Sequence, residues 1–122
     1  MTSTSIKMAA TAGALLCGLT LSAQAQETGL DGLHAQVRLG SRICMVDHFH
    51  NGSSSGLSSR RQAEAEAIRT WVDFTIWEYG PPWGSWKSAE TKRVSCSQTS
   101  GAWACTLEAR PCKPAVAARR RR

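Results

Sequence analysis

Residues 59–80, SRRQAEAEAIRTWVDFTIWEYG, constrain the fold more than any other stretch. Ser59 is a helix N-cap, because its hydroxyl can accept from a first-turn backbone N–H that has no partner in the helix. Gln62 follows three residues later and completes a capping-box pattern. Helix formers fill the interior, and Ile68, Trp71, Val72, Thr75 and Tyr79 recur at the spacing of one helical face. Phe74 and Trp77 are expected to widen that face. Gly80 suits the left-handed position after a helix, and Pro81-Pro82 stops continuation. An aromatic stripe at this spacing is read as core, which assigns these rings to packing before partner binding.

The chain opens with MTSTSIKMAATAGALLCGLTLSAQAQ. Lys7 supplies a basic start, an apolar run follows, and Ala23-Gln24-Ala25 fits a cleavage site. The run is too short to span a bilayer. Residues 1–25 are therefore read as a signal peptide cleaved near Ala25, which implies a periplasmic or secreted product. Cys17 sits in the apolar run without the small residues of a lipoprotein box before it.

Cleavage leaves Cys44, Cys96, Cys105 and Cys112. A small exported domain buries too little surface to be secure on packing alone, and disulfides are the usual supplement. Two bridges are expected, with three pairings open. No C-x-x-C is present to suggest a zinc knuckle or a redox pair. Cys96 and Cys105 flank a turn on core-facing positions, which favours Cys96–Cys105, leaving Cys44–Cys112 to close the sheet.

The net charge of +6 is uneven. Lys7 lies in the leader and Arg119, Arg120, Arg121 and Arg122 form a tail, so the part between is close to neutral. A surface for specific nucleic-acid recognition is not expected. The tail, residues 115–122, is expected to be disordered and to offer charge to an anionic envelope lipid or polymer.

Taken in order, residues 26–39 read as a weakly patterned lead-in, with residues 28–34 a loop that carries His34 alone. Residues 41–48, SRICMVDH, read as a strand, and residues 50–58, HNGSSSGLS, as a flexible Gly/Ser loop. Trp83 and Trp86 fall in a short helical turn. Residues 92–98 and 102–109 form a hairpin about Thr99-Ser100-Gly101. The sum is a single α+β domain over residues 26–114: one long amphipathic helix on a small antiparallel sheet, disulfide-stapled.

The run DHFHNGSSS, the helix pattern A-x-A-I-x-x-W-x-x-F-x-x-W-E-Y-G, the W-x-x-W-x-x-A after it and the ending A-R-P-C together resemble a group of small exported, cysteine-containing bacterial proteins of uncharacterised activity. The resemblance runs from about Cys44 to Cys112. It implies export and one compact domain, and it brings no catalytic residues with it.

For chemistry, Asp47-His48-x-His50 stands out. Two histidines two apart on an extended segment point to the same side and can share a metal, with imidazole and carboxylate suiting Zn²⁺ or Cu²⁺. Asp47, His48 and His50 are thus the candidate ligands, with His34 or an acid from elsewhere to complete the set. The serines at 53–55 could be combined with them only on paper, since no nucleophile elbow, metalloprotease helix or phosphate-binding loop occurs. No enzyme is expected. The reading is a small binding or structural protein of the cell envelope, with divalent-metal binding as the alternative.

Overall fold

The computed structural model describes residues 30–116, so the leader and the four-arginine tail lie outside the described residues. The architecture is α+β. A 3-10 turn (Leu30–Leu33) precedes β1 (Gln36–Leu39), β2 (Arg42–Met45) and β3 (His50–Leu57). Helix α1 (Arg60–Tyr79) follows, then a 3-10 turn (Pro81–Trp83), β4 (Glu90–Thr99), β5 (Ala102–Arg110) and β6 (Cys112–Pro114). The strands make two antiparallel sheets of three, in the orders β1-β2-β6 and β3-β5-β4.

Helix α1 starts and stops where its sequence says. The Ser59 hydroxyl accepts from the Gln62 N–H at 3.2 Å, and Gly80 takes φ +99° while its N–H reaches the Ile76 carbonyl. The capping box closes differently, because the Gln62 side chain accepts from Ser58. The buried positions step strictly by four, at Ala63, Ala67, Trp71, Thr75 and Tyr79. This stripe lies further toward the alanines than the aromatic pattern suggested. Phe74 is consequently 43% exposed and Trp77 69%, so neither widens the core.

The larger core lies between α1 and the β3-β5-β4 sheet, where Trp71 packs with Ala63, Ala67, Ala89, Cys105, Leu107 and Ala109. Burying a ring of that size stabilises by about 3 kcal/mol. The expectation of a flexible loop at 50–58 is overturned here: this segment is β3, paired with β5 from His50↔Ala109 to Leu57↔Trp103. Its inward residues are small. At Gly52 an added Cβ would lie 2.1 Å from the Ala67 carbonyl oxygen, so the helix rests directly on the strand backbone. Ser54 donates to the Ala63 carbonyl at 2.6 Å and accepts from the Cys105 N–H. Such a strand has alternation without hydrophobicity, and context overrides its low β-propensity. The lead-in likewise contains β1, an exposed strand that turns into β2 through Gly40 at φ +61°.

The β4–β5 hairpin turns at Ser100 and Gly101, both at positive φ, and is bridged by Cys96–Cys105 on directly paired residues. Beyond it the chain changes sheets at buried Pro111, and β6 pairs with β2. There Cys44 and Cys112 sit opposite each other and form the second disulfide. A smaller core of Met45, Tyr79 and Trp83 joins this sheet to the end of α1. No helix among the described residues is long and apolar enough to cross a membrane.

Candidate metal centre

Three separate segments bring His34, His48 and Glu78 together, with one ligand atom of each lying within 4.8 Å of the others. His34 follows the first 3-10 turn, which Asp31 anchors. The Asp31 carboxylate accepts from Trp83 Nε1 at 3.1 Å and pairs with the Lys113 ammonium at 3.4 Å, and its backbone carbonyl takes the Gln36 amide at 2.8 Å. The turn is thereby tied to both β6 and the Pro81–Trp83 segment. His48 lies in the connection between β2 and β3, which Arg110 holds by donating to the Met45 and Val46 carbonyls. Glu78 comes from the last turn of α1.

The His34 and His48 ring centroids are 4.4 Å apart. Tyr79 closes the back, with its ring 5.4 Å from His34 and 5.7 Å from His48. Burial pushes the Tyr79 phenol well above its ordinary value, with Glu78 and Asp31 adding to the effect. It therefore stays a neutral wall at physiological pH.

His50 lies beside the cluster, 5.2 Å from His48 between ring centroids, but its nitrogens are committed elsewhere. It is 2% exposed, with Nδ1 2.8 Å from Thr75 Oγ1 and Nε2 2.8 Å from Glu78 Oε2. Desolvation lowers its pKa to about 4, helped by His48 and His34, so the ring is neutral. A neutral ring has one proton, and the carboxylate can only accept. The ring stands between the Thr75 hydroxyl at Nδ1 and the Glu78 carboxylate at Nε2. The Thr75 hydroxyl donates to the Trp71 carbonyl at 2.7 Å. His50 thus lies directly behind the Glu78 carboxylate, where an outer group stands beside a metal ligand.

Of the three ligands expected from sequence, the structure places His48 in the cluster, His50 behind it on Glu78, and Asp47 on the exposed surface outside it. The i, i+2 geometry does put the two imidazoles on one side, but β3 begins at His50 and carries it into the core. His34, one of the residues expected to complete the set, supplies the second imidazole of the cluster, and the acid from elsewhere is Glu78. Glu78 was visible only as part of W-E-Y-G. Its signal is its place one residue before the buried Tyr79 and three after Thr75, at the helix end that meets the small sheet. The serines at 53–55 lie in β3, where Ser53 and Ser54 make structural contacts with α1. Glu66 and Asp73 pair with Arg69 on the exposed helix face.

Two imidazoles and a carboxylate are the donor set of zinc and copper(II) sites. Donors sharing a tetrahedral zinc lie about 3.4 Å apart, given bonds of about 2.1 Å. A spread of up to 4.8 Å therefore closes by at most about 1.4 Å as an ion enters. His34 and His48 are both partly exposed and have room for that adjustment. Comparison with family models, with curated proteins and with solved structures found no match.

Proposed function

We propose that the protein is an exported, disulfide-stapled metal-binding protein, holding one divalent zinc or copper ion at His34, His48 and Glu78. The observation that carries this reading is the convergence of two imidazoles and a carboxylate from three separate segments, with His50 2.8 Å behind the carboxylate. Export rests on the leader-like residues 1–25 and is supported by two disulfides, which persist in oxidising compartments. In that compartment Arg119, Arg120, Arg121 and Arg122 would hold the protein near anionic lipid or polymer by charge alone.

The test is metal titration of the oxidised protein, read by native mass spectrometry. One Zn²⁺ or Cu²⁺ per chain is expected. His34→Ala and His48→Ala should each abolish stoichiometric binding, while Asp47→Ala should leave it intact. A wild-type protein that takes up no ion, or a double histidine variant that binds as well as wild type, ends the proposal.

A further inference from the structure

The metal centre opens on one side into a cleft of about 420 Å³ lined by His48, Phe49, His50, Asn51, Phe74 and Glu78. Two of the three ligands are thus part of its wall. Resting on the metal reading above, we infer that this cleft takes a small carboxylate with a flat apolar body, whose head group completes the coordination of the bound ion.

Three observations carry the inference. Three protein ligands leave a fourth position for an outside donor, which is the pattern of open zinc sites. The ion's double charge meets a single carboxylate and two neutral rings, so the remaining position favours an anion. The cleft wall itself carries no lysine or arginine for that anion and already carries Glu78, so the ion is its main anchor. Its volume falls within the range of small-molecule sites.

The body of the ligand is read from the other walls. Phe49 and Phe74 are 37% and 43% exposed, a substantial outlay of aromatic surface beside a polar centre. Phe74 is fixed edge-on against the His50 ring at 4.8 Å, and the Arg110 guanidinium lies 5.8 Å from the Phe49 ring centroid. Two positioned aromatic walls suit a planar ring, and Asn51 offers one polar group to orient it.

The experiment uses the oxidised full chain loaded with Co²⁺, whose visible absorption reports its ligands, and the probes acetate and benzoate. Both anions should shift the cobalt bands, with benzoate about tenfold tighter because its ring is partly buried against the phenylalanines. Phe74→Ala removes an exposed side chain and should fold, and it should bring benzoate to within about twofold of acetate. Neither anion should bind the metal-free protein. Cobalt bands unmoved by either anion would mean that no coordination position is open, and equal affinities in wild type would remove the aromatic body from the ligand. If native mass shows that cobalt does not load at all, the metal reading itself has failed, which is a separate result.

Discussion

The two ends of α1 are secured by different physics. Its first half lies on the β3-β5-β4 sheet through small residues, with Ala63 against Ser54 and the Ala67 carbonyl against the backbone at Gly52. Its last turn meets the β1-β2-β6 sheet through a few large side chains, Met45, Tyr79 and Trp83, with a disulfide beside them and Asp31 shared between Trp83 and Lys113. Close contact between backbones has one solution and tolerates little change. A corner made of rings, one bridge and polar links leaves room for partly exposed histidines and a cleft. The side chains able to bind an ion are gathered in the second region, and the first serves as its platform.

The disulfides test this contrast most strongly. Cys44–Cys112 spans 68 residues and Cys96–Cys105 spans 9. By the chain-entropy relation the first stabilises by about 4 kcal/mol and the second by about 2.5 kcal/mol. The hairpin turn already brings Cys96 toward Cys105, whereas β2 and β6 are distant in sequence. Replacing Cys44 and Cys112 by Ala should thus lower the urea midpoint more than replacing Cys96 and Cys105, and should raise amide exchange through β1 and β2. Equal losses would mean that the small sheet is held by its packing and does not depend on its bridge.

Glycine substitutions sharpen the comparison at a lower cost. A Cβ at Gly52 meets the Ala67 carbonyl oxygen at 2.1 Å and the Trp71 Cβ at 2.9 Å, neither of which can withdraw without moving the helix. Gly52→Ala should cost about 3 kcal/mol, the upper part of the range for overpacking. A Cβ at Gly84 meets Ile76 Cγ1 at 2.4 Å, but that side chain is 37% exposed and can change rotamer. Gly84→Ala should cost about 1 kcal/mol or less. Thermal midpoints of the two variants decide it, and a Gly52→Ala protein as stable as Gly84→Ala would show that the helix floats on the sheet.

What could be read from the sequence divides along the same boundary. Ser59, Gly80 and the paired prolines mark the helix because caps and breakers act locally. The hairpin and both bridges are legible because Cys96 and Cys105 flank a short turn. Strand β3 is not, since its inward positions are histidine, glycine and serine, chosen for closeness to α1 and carrying no hydrophobic signal. Phe74 and Trp77 mislead for the opposite reason, being apolar at helical spacing yet facing outward. The candidate metal centre is half legible: His48 stands in a histidine-rich run, but His34 and Glu78 reach it through contacts as distant as Asp31 to Trp83. Local patterns do not encode such contacts.

The smallest expected effect concerns His50, and it separates the two regions by pH. The larger core consists of Ala63, Ala67, Trp71, Ala89, Cys105, Leu107 and Ala109, none of which titrates as it stands. The second region buries an imidazole whose pKa falls from 6.5 to about 4 on folding, through burial first and then His48 and His34. Below pH 6.5 the unfolded chain takes up a proton that the folded chain refuses, so this contribution is complete above pH 6.5 and is lost as pH falls toward 4. A shift of that size sets a limit on the order of 3 kcal/mol, and the Glu78 carboxylate 2.8 Å away works against it by favouring the charged ring. About 2 kcal/mol should therefore separate the pH 7 and pH 4.5 stabilities of metal-free wild type from the same difference in His50→Gln, measured by urea unfolding with a chelator present. Parallel curves would mean that Glu78 keeps the proton on His50 in the folded state. The corner would then be a buried ion pair, and the carboxylate offered to the metal would carry a compensated charge.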